Sequence, residues 1–451
     1  MSAGATADDT IVAVATPPGR GGVGVVRLSG ESAEDIALCM LGKLPQPRVA
    51  TYSGFFGPAG DQIDAGIALY FPAPASFTGE TIIELHGHGG PIVLAMLVDA
   101  AVGLGARRAE PGEFSRRAFL NNKLDLAQAE AIADLIASGT SQAARAALRS
   151  LSGAFSDAVN ALNEQLTTLR TYVEAAIDFP EEEIDFLADD ELATRLEECG
   201  QAFTTLLENA AVGRVLRDGY QVVIVGKPNS GKSSLMNRLS GEDTAIVTEV
   251  AGTTRDVLRE RINIDGLAVE VVDTAGLRND PDRIEEEGIR RARAAIANAD
   301  AVLWIQDATS AADEAIDEEL PQGIPVTIVR NKIDLTGDAA GSEKENGAQP
   351  LVRLSAKTGE GLDALRQLIG ELAGFRDLGE GAFTARRRHV EALRDAAQHF
   401  TAGRAALQDS RAGELLAEEL RLAQQALGLI TGAVTSEDLL GKIFAEFCIG
   451  K

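Results

Sequence analysis

The chain has 451 residues, a length that predicts two to four domains rather than one. Asp and Glu together number 68 against 42 Lys and Arg, for a formal net charge of -26, which argues against a broad basic face for nonspecific nucleic-acid binding. Cys39, Cys199 and Cys448 are too widely spaced for a metal site or a disulfide framework and fit a reducing compartment.

Residues 1–122 have the pattern of a mixed α/β domain. Apolar runs between Pro- and Gly-rich turns predict strands at Ile11–Val14, Val23–Leu28, Ile63–Phe71 and Thr81–Leu85. Pro91–Leu104 has the pattern of a helix with proline in its first turn, and it is too short for a membrane span. The first ten residues contain two aspartates and no basic region, unlike a signal peptide, so we expect a cytoplasmic protein without membrane contact.

Two motifs in this region resemble ligand sites but lack the flanking elements that such sites need. Gly19–Gly24 satisfies G-x-G-x-x-G, but two prolines precede it and a predicted strand follows it. Because the dinucleotide fingerprint needs a strand before it and a helix after it, we reject a dinucleotide site here. His86 and His88 alternate at the predicted end of a strand. Because no third ligand is near, hydrogen bonding is favoured over a metal pair.

Residues 123–217 and 376–451 are predicted to be helical. Apolar stripes at helical spacing are formed by Leu162, Leu166, Leu169 and Val173 and by Leu416, Leu420, Leu427 and Ile430. The acidic run around Pro180 is interpreted as a solvated helix start, and Thr435–Asp438 as the cap of the last helix. If the two segments pack together, the chain between them is an insertion in one helical domain.

Residues 218–375 alternate strands with helices. Buried-type apolar runs predict a mostly parallel sheet from Val269–Val272, Ala301–Ile305, Val326–Val329 and Leu351–Leu354, and Thr336–Gln349 is predicted to be a surface loop.

The strongest motif follows the β-branched run that begins at Tyr220. Gly226 to Ser233 reads G-x-x-x-x-G-K-S between a predicted strand and a predicted helix, the context of a phosphate-binding loop. Lys232 is expected to reach the β- and γ-phosphates and the Ser233 hydroxyl to ligate Mg²⁺. The expected contacts are Asn229, Ser230, Gly231, Lys232, Ser233 and Ser234.

Three further segments follow predicted strands. The first can hold the Mg²⁺ shell and touch a γ-phosphate, and consists of Asp273, Thr274, Ala275 and Gly276. The second consists of Asn331, Lys332 and Asp334. Its carboxylate can accept hydrogen bonds from guanine N1 and N2, a donor pair that adenine lacks, so guanine should be preferred over adenine by ~10⁴-fold. The third can offer a backbone N–H to guanine O6, and consists of Ser355, Ala356 and Lys357. Together with the loop, they predict a GTP site.

A switch segment is predicted between the loop and Asp273. It consists of Thr248, Glu249, Val250, Ala251, Gly252, Thr253 and Thr254. Thr254 is expected to complete the Mg²⁺ shell when γ-phosphate is present, although the spacing also allows Thr253. Leu277 stands where many GTPases place a water-orienting glutamine, so hydrolysis needs another polar group. Glu285, Glu286 and Glu287 are the acids downstream, unless they only solvate a helix face.

With these motifs in view, the sequence resembles the bacterial tRNA-modifying GTPase family MnmE, also called TrmE, over essentially its whole length. The GTP motifs are shared by many GTPases, whereas the N-terminal segments and the chain end are specific. The matching stretches are Ala15–Gly24, Glu84–Gly90, Pro111–Phe114, Asp178–Glu183 and Phe447–Lys451. Ser230 stands where the family often has Ala.

The resemblance implies a multidomain α/β fold. Its parts are an α+β folate-binding and dimerisation domain at 1–122, an all-α helical domain in two pieces at 123–217 and 376–451, and a Ras-like P-loop G domain inserted at 218–375. It also implies a homodimer that works with a flavin-dependent (FAD) partner, MnmG or GidA. Together they would add an aminomethyl or carboxymethylaminomethyl group to C5 of the wobble uridine (U34) of certain tRNAs, using a 5-formyl- or methylene-tetrahydrofolate carrier.

Residue roles carry over by motif. The folate contacts are Arg27, Glu84, Lys123 and Lys451, with Cys448 as the candidate catalytic thiol; Arg27 and Glu84 could instead form a structural ion pair. The resemblance further implies activation by K⁺ when two G domains meet, in place of an arginine finger worth ~10³–10⁵ in rate. The K⁺ ligands would be Asn229, Thr248, Val250 and Thr253, and Glu285 would position the attacking water.

Two alternatives remain open from the sequence. A ribosome-assembly GTPase of the Era or Der sort shares the GTP motifs but appends basic RNA-binding domains, which the acidic balance of this chain disfavours. A one-carbon transferase that its G domain only regulates is the second alternative.

Overall fold

The computed structural model describes residues 9–178, 190–227, 229–242, 259–264, 266–273, 299–310, 324–344, 349–374 and 381–450. The chain forms two compact units. The first comprises residues 1–133, 151–170 and 417–451, and the second comprises residues 134–150 and 171–416.

A six-stranded sheet forms the centre of the first unit, in the order β3-β4-β5-β2-β1-β6. Its strands are β1 (Ile11–Val14), β2 (Gly21–Ser29), β3 (Thr51–Phe56), β4 (Gln62–Phe71), β5 (Ile82–Gly89) and β6 (Arg107–Arg108). The helices that accompany it are α1 (Ala33–Leu41), α2 (Pro91–Gly103) and α3 (Glu113–Leu120). Neighbouring strands are antiparallel except β1 and β6, which are parallel.

The two faces of this sheet have different coverings. Side chains alternate along each strand, so Val26 and Leu28 face the cluster that contains residues of α1 and α2. Arg27, between them in sequence, lies directly across from Glu84 on β5. Ile11 and Ala13 cluster with Phe114 of α3. The alternation thus places Arg27 and Glu84, the two predicted folate contacts, side by side on the face of the sheet opposite α1 and α2.

The elements predicted for residues 1–122 are all present, but one strand has different bounds and four elements were missed. The strand predicted at Thr81–Leu85 runs instead from Ile82 to Gly89, so His86 and His88 lie within the strand rather than at its end. The sequence pattern missed α1, α3, the short strand β6, and β3, in which Gly54 interrupts the apolar alternation. Gly19–Gly24 leads into β2, a strand, as expected for a motif that is not a dinucleotide fingerprint.

Four helices follow: α4 (Leu126–Ala137), α5 (Ser141–Leu151), α6 (Ala154–Asp178) and α7 (Asp190–Asp218). The stripe predicted on α6 is buried, with Leu162, Leu166, Leu169 and Val173 each at most 3% exposed. A single glycine, Gly219, separates the end of α7 from the first strand of the second sheet.

A seven-stranded sheet lies within the second unit, in the order β12-β13-β11-β10-β7-β9-β8. Its strands are β7 (Tyr220–Gly226), β8 (Arg259–Ile264), β9 (Leu267–Asp273), β10 (Ala301–Asp307), β11 (Val326–Asn331), β12 (Gly341–Glu343) and β13 (Leu351–Arg353). Its helices are α8 (Lys232–Glu242), α9 (Ile333–Thr336) and α10 (Leu362–Leu372). The five strands β7, β9, β10, β11 and β13 are mutually parallel, and only the edge strands β8 and β12 are antiparallel.

The predicted parallel sheet is therefore confirmed, and two edge strands are added to it. Strand β8 precedes the predicted strand as the first half of a hairpin, and β12 lies inside the segment predicted to be only a loop. Apolar clusters cover both faces of the sheet, one around Val222 and Ile224 and the other around Val223 and Val225. Burial on both faces explains why these strands have continuous apolar sequences.

The chain closes with α11 (Arg387–Ser410), α12 (Gly413–Thr431) and α13 (Glu437–Ala445). The predicted stripe on α12 is buried, and Ser436 caps α13 by accepting a hydrogen bond from the Leu439 amide. In the second unit, Asp134 of α4 accepts from Arg386 at 2.7 Å and from Arg217 at 3.1 Å. Both the Asp134 and Arg386 side chains are less than a tenth exposed, so this pair is buried.

Candidate functional site

The nucleotide motifs occupy one edge of the seven-stranded sheet. Because β7, β9, β10, β11 and β13 are parallel, their carboxyl ends share that edge, where α/β folds bind ligands. The segments that begin there are the phosphate loop after β7, Asp273 at the end of β9, Asp307 at the end of β10, Asn331 at the end of β11, and Ser355 just after β13.

The phosphate loop requires its two glycines. Gly226 has φ +151° and Gly231 has φ +97°, conformations that L side chains rarely adopt. A Cβ at Gly226 would overlap the Ile305 carbonyl oxygen, and a Cβ at Gly231 would overlap the side-chain Nδ2 of Asn331. Asn229 is also left-handed, with φ +64°, a conformation that asparagine tolerates better than most residues. The loop therefore depends on the close approach of the β10 backbone and of the Asn331 side chain as well as on turn geometry.

Lys232, at the start of α8, folds back over the loop. Its Nζ donates to the Gly226 carbonyl at 2.7 Å and to the Lys227 carbonyl at 2.8 Å, and the residue is 6% exposed. An ammonium held by loop carbonyls can exchange them for a phosphate oxygen. Ser230 is also buried, and its Oγ has no hydrogen-bonding partner among the described residues.

Asn331 joins the loop to the segments expected to read the base. Its Nδ2 donates to the Ser230 carbonyl at 3.0 Å, while its Oδ1 accepts from the Lys332 amide at 2.8 Å and the Ala356 amide at 2.9 Å. The residue is 2% exposed. One buried side chain thus fixes three separate pieces of the candidate site relative to each other.

Asp334 and Ser355 form the next contact. The Ser355 hydroxyl donates to Asp334 Oδ1 at 2.6 Å and accepts from the Thr358 amide at 3.2 Å. Ser355 is fully buried. The serine thereby fixes one oxygen of the carboxylate, an arrangement that suits a group expected to accept two N–H bonds from a base.

Asp307 is a site residue that the sequence interpretation missed. Its Oδ2 lies 2.6 Å from Lys332 Nζ, and the hydrogen bond from that ammonium lowers the pKa of the Asp307 carboxyl to about 2. Thr309 contributes a further hydrogen bond to Oδ1. The available signal was positional, since an acid ends a strand at the same sheet edge as the other motifs.

Part of the predicted site lies outside the described residues. This applies to Glu285 and to the predicted contacts Thr248, Glu249, Val250, Ala251, Gly252, Thr253, Thr254, Thr274, Ala275, Gly276 and Lys451. The backbone of Asp273 is placed in β9, paired with Ile224 of β7.

The first unit holds a separate cluster around Arg27. Its Nε donates to Glu84 Oε1 at 2.8 Å, and the other oxygen of Glu84 lies 3.0 Å from His86 Nε2. The Arg27 guanidinium carbon lies 5.8 Å from the ring centres of both Phe77 and Phe114. The side chains of Arg27 and Glu84 are 23% and 15% exposed, so the pair is accessible from outside.

The ion pair that the sequence left as an alternative is therefore present, and it does not exclude a binding role. His86, first considered as a metal ligand, hydrogen-bonds Glu84, and His88 bonds Asp64 at 2.7 Å. The contacts of Arg27 with Phe77 and Phe114 were not predicted. Phe77 lies in a loop and Phe114 in α3, and sequence spacing does not show that either is near Arg27. Lys123 Nζ donates to the Pro74 carbonyl at 3.0 Å.

The chain end also lies in the first unit. Ile449 forms an isolated antiparallel bridge with Pro111, and Cys448 is an exposed free thiol. A Cβ at Gly450 would overlap the carbonyl oxygen of Val14, the last residue of β1. Because Val14 and Ala13 pair with Val26 and Arg27 on β2, the tail approaches the strand pair that carries Arg27.

Among the residues that the structure describes, no helix combines the length and apolar content needed to cross a bilayer. In the same residues, no three His, Cys, Asp or Glu side chains are grouped so as to hold a metal ion.

Solved structures with similarity to this chain include G domains and a GTP-binding protein. The G domain of the T. maritima FeoB iron transporter is 23% identical, covering 34% of this chain and 98% of its own, with a TM-score of 0.24. The FeoB G domain of Methanococcus jannaschii is 24% identical, with coverage of 34% and 98% and a TM-score of 0.24. A GTP-binding protein of Sulfolobus solfataricus, solved with GDP, is 18% identical, covering 47% and 67%, with a TM-score of 0.24. Likeness at this level carries no functional information.

Two family models match almost the whole chain. The model described as the GTP-binding protein TrmE N-terminus matches residues 10–123, and the model of the MnmE helical domain matches residues 126–448. Their junction falls between the β3-β4-β5-β2-β1-β6 sheet and helix α4, and the second model includes the seven-stranded sheet between its helical parts. The chain, with an N-terminal α+β domain, a discontinuous helical domain and an inserted Ras-like P-loop domain, belongs to the MnmE (TrmE) family.

Proposed function

We propose that this protein is a GTP hydrolase that acts in the modification of the wobble uridine of tRNA. The GTP site is supported above all by Asn331, whose single buried side chain hydrogen-bonds the phosphate loop, the Lys332 backbone and the Ala356 backbone. A loop for phosphates and a carboxylate for guanine need a fixed separation to select one nucleotide. Asn331 supplies the rigid connection between them.

The loop residues fit the phosphates and the Mg²⁺ of GTP. Lys232, now bonded to loop carbonyls, would turn to the β- and γ-phosphates, and Ser233 would ligate Mg²⁺ together with Thr254. When bound, Mg²⁺ neutralises charge on the phosphate oxygens. Asp334, with one oxygen fixed by Ser355, would accept from guanine N1 and N2.

Hydrolysis is proposed to depend on K⁺ and on pairing of two G domains in a homodimer. Asn229, whose backbone has a left-handed φ of +64°, would bind K⁺ with Thr248, Val250 and Thr253. The ion would supply positive charge to the transition state in place of an arginine. Glu285 would position the attacking water, since Leu277 cannot.

The cluster around Arg27 fits a reduced folate. A guanidinium flanked by two aromatic rings and paired with a carboxylate offers stacking, a cation for a glutamyl carboxylate, and an acceptor for a pterin edge. Lys123 and Lys451 would add positive charge. A 5-formyl- or methylene-tetrahydrofolate would supply the one-carbon unit, with Cys448 as the candidate thiol beside it.

The remaining chemistry is assigned to a partner. We propose that the protein acts in the cytoplasm with a flavoprotein of the MnmG (GidA) type, whose FAD handles the redox step while tRNA is bound. The products would carry an aminomethyl or carboxymethylaminomethyl group at C5 of U34.

The test is reconstitution of the full chain with that flavoprotein, a reduced folate, unmodified tRNA and an amine, read by mass spectrometry of nucleosides; the amine is ammonium for the aminomethyl product and glycine for the carboxymethylaminomethyl product. Modified uridine should form with GTP and fail to form with a nonhydrolysable analogue or without the folate. Equal product with both nucleotides would refute the coupling of hydrolysis to modification. No product under any condition, despite GTP turnover, would favour a GTPase switch without modification chemistry.

A further inference from the structure

The last residues of the described chain are held on both sides of Cys448. Before it, Phe444 and Phe447 pack in an apolar cluster with Leu126 and Ala129 of α4. After it, Ile449 pairs with Pro111, and Gly450 lies against the end of β1. Cys448 itself is exposed between these two attachments.

Gly112 lies close against the backbone of this tail. Its φ is +66°, and a Cβ there would lie 2.7 Å from the Phe444 carbonyl oxygen, 3.0 Å from Phe447 Cβ and 3.1 Å from Phe444 Cβ. Real Cβ atoms essentially never come within 3.0 Å of such backbone atoms. The Gly112 amide also points to the Cys448 carbonyl, at 3.5 Å. A side chain at 112 would therefore displace the tail, because the atoms it meets belong to backbone and to Cβ rather than to flexible side-chain ends.

Gly450 repeats this arrangement on the far side of the thiol. It has φ +93°, and its missing Cβ leaves room for Val14 and Ala15 at the end of β1. Two glycines thus set the tail backbone against two fixed surfaces, the Pro111–Gly112 turn and the β1 end. The turn leads directly into α3, whose Phe114 contacts Arg27.

We propose that Gly112 is a positioning residue for Cys448: by admitting the tail backbone against the Pro111 turn, it sets the thiol beside the Arg27–Glu84 cluster. This inference rests on the proposed function, because it gives the thiol a purpose only if one-carbon chemistry occurs there. Gly112 takes no part in the chemistry itself. It acts only by fixing the position of Cys448.

The test compares Gly112→Ala with Gly42→Ala in the full chain. Gly42 has nearly the same backbone strain, with φ +72°, but nothing lies within 4 Å of its missing Cβ. Hydrogen exchange of the amides of residues 447–450 should accelerate roughly tenfold or more in Gly112→Ala and stay at the wild-type rate in Gly42→Ala. Unchanged exchange in Gly112→Ala would overturn the proposal.

A second measurement asks whether the effect passes through the thiol. In the reconstitution described above, Gly112→Ala should slow modification ~10²-fold while GTP turnover stays at the wild-type rate. Cys448→Ser should be slow as well, and the double variant should be no slower than Cys448→Ser alone. If the rate losses of the two single variants multiply in the double variant, or if either single variant keeps full activity, the proposal is wrong. A wild-type chain that modifies no tRNA refutes the proposed function instead, while the exchange measurement still decides whether Gly112 holds the tail.

Discussion

The sharpest prediction concerns Asn331→Ala. The substitution removes three hydrogen bonds of 3.0, 2.8 and 2.9 Å from a side chain that is 2% exposed. It leaves the Ser230 carbonyl and the amides of Lys332 and Ala356 without that partner. Each such buried group costs about 1–2 kcal/mol, so the free energy of unfolding of the seven-stranded module should fall by about 3–6 kcal/mol.

The assay is urea unfolding of the full chain followed by tryptophan fluorescence. The chain has one tryptophan, Trp304, and it lies in β10 at the centre of this module. GTP affinity, measured with a fluorescent analogue, should fall in parallel, because the loop and the guanine-reading segment lose their common anchor.

Asn263→Ala is the matched control. Asn263 lies in the same module and accepts one hydrogen bond, from the Gly266 amide at 2.7 Å, in the turn between β8 and β9. Its loss should cost about 1 kcal/mol and leave GTP affinity unchanged. If Asn331→Ala costs no more than Asn263→Ala in either measurement, Asn331 does not organise the site and the reasoning fails.

Four further predictions test other parts of the molecule. Asp134→Ala removes the carboxylate that pairs with the buried Arg386 guanidinium, and one of the two carboxylates that pair with Arg217, so it should destabilise the second unit by about 3–5 kcal/mol in thermal unfolding. Glu418→Ala breaks a fully exposed pair and should cause almost no change. Asp334→Asn should shift preference from GTP towards xanthosine triphosphate, whose C2 oxygen accepts from an amide; unchanged GTP preference in competition binding would contradict the guanine assignment. Because the pKa of Asp307 is lowered in the folded state, its ionised carboxylate stabilises the fold at pH values above 3.8, the ordinary pKa, and this contribution is lost as the pH falls through about 2. In Lys332→Met, NMR titration of the carboxyl group should show the Asp307 pKa moving up towards 3.8. A pKa still near 2 in that variant would mean that Lys332 does not cause the shift. Replacing K⁺ by Na⁺ at constant ionic strength should lower GTP turnover sharply, and equal rates would remove the K⁺-dependent mechanism.

Local patterns predicted the parts of the fold where one physical requirement dominates. The parallel strands were recognisable because both their faces are buried, and α6 because its apolar stripe has helical spacing. The missed strands β3, β6, β8 and β12 lie at the outer edges of their sheets, where one side lacks a neighbouring strand and apolar continuity is weak. His86 was misplaced at a strand end because the glycines around it imitate a turn.

The sequence alone determined the residue types at the nucleotide site, because a phosphate loop needs glycines and a lysine in fixed order within a few residues of chain. How those pieces are joined became visible only in the folded chain. The links from Asn331 to Ser230, from Lys332 to Asp307 and from Pro111 to Ile449 connect residues far apart in sequence. Such contacts depend on strand order and backbone approach, which no local pattern encodes.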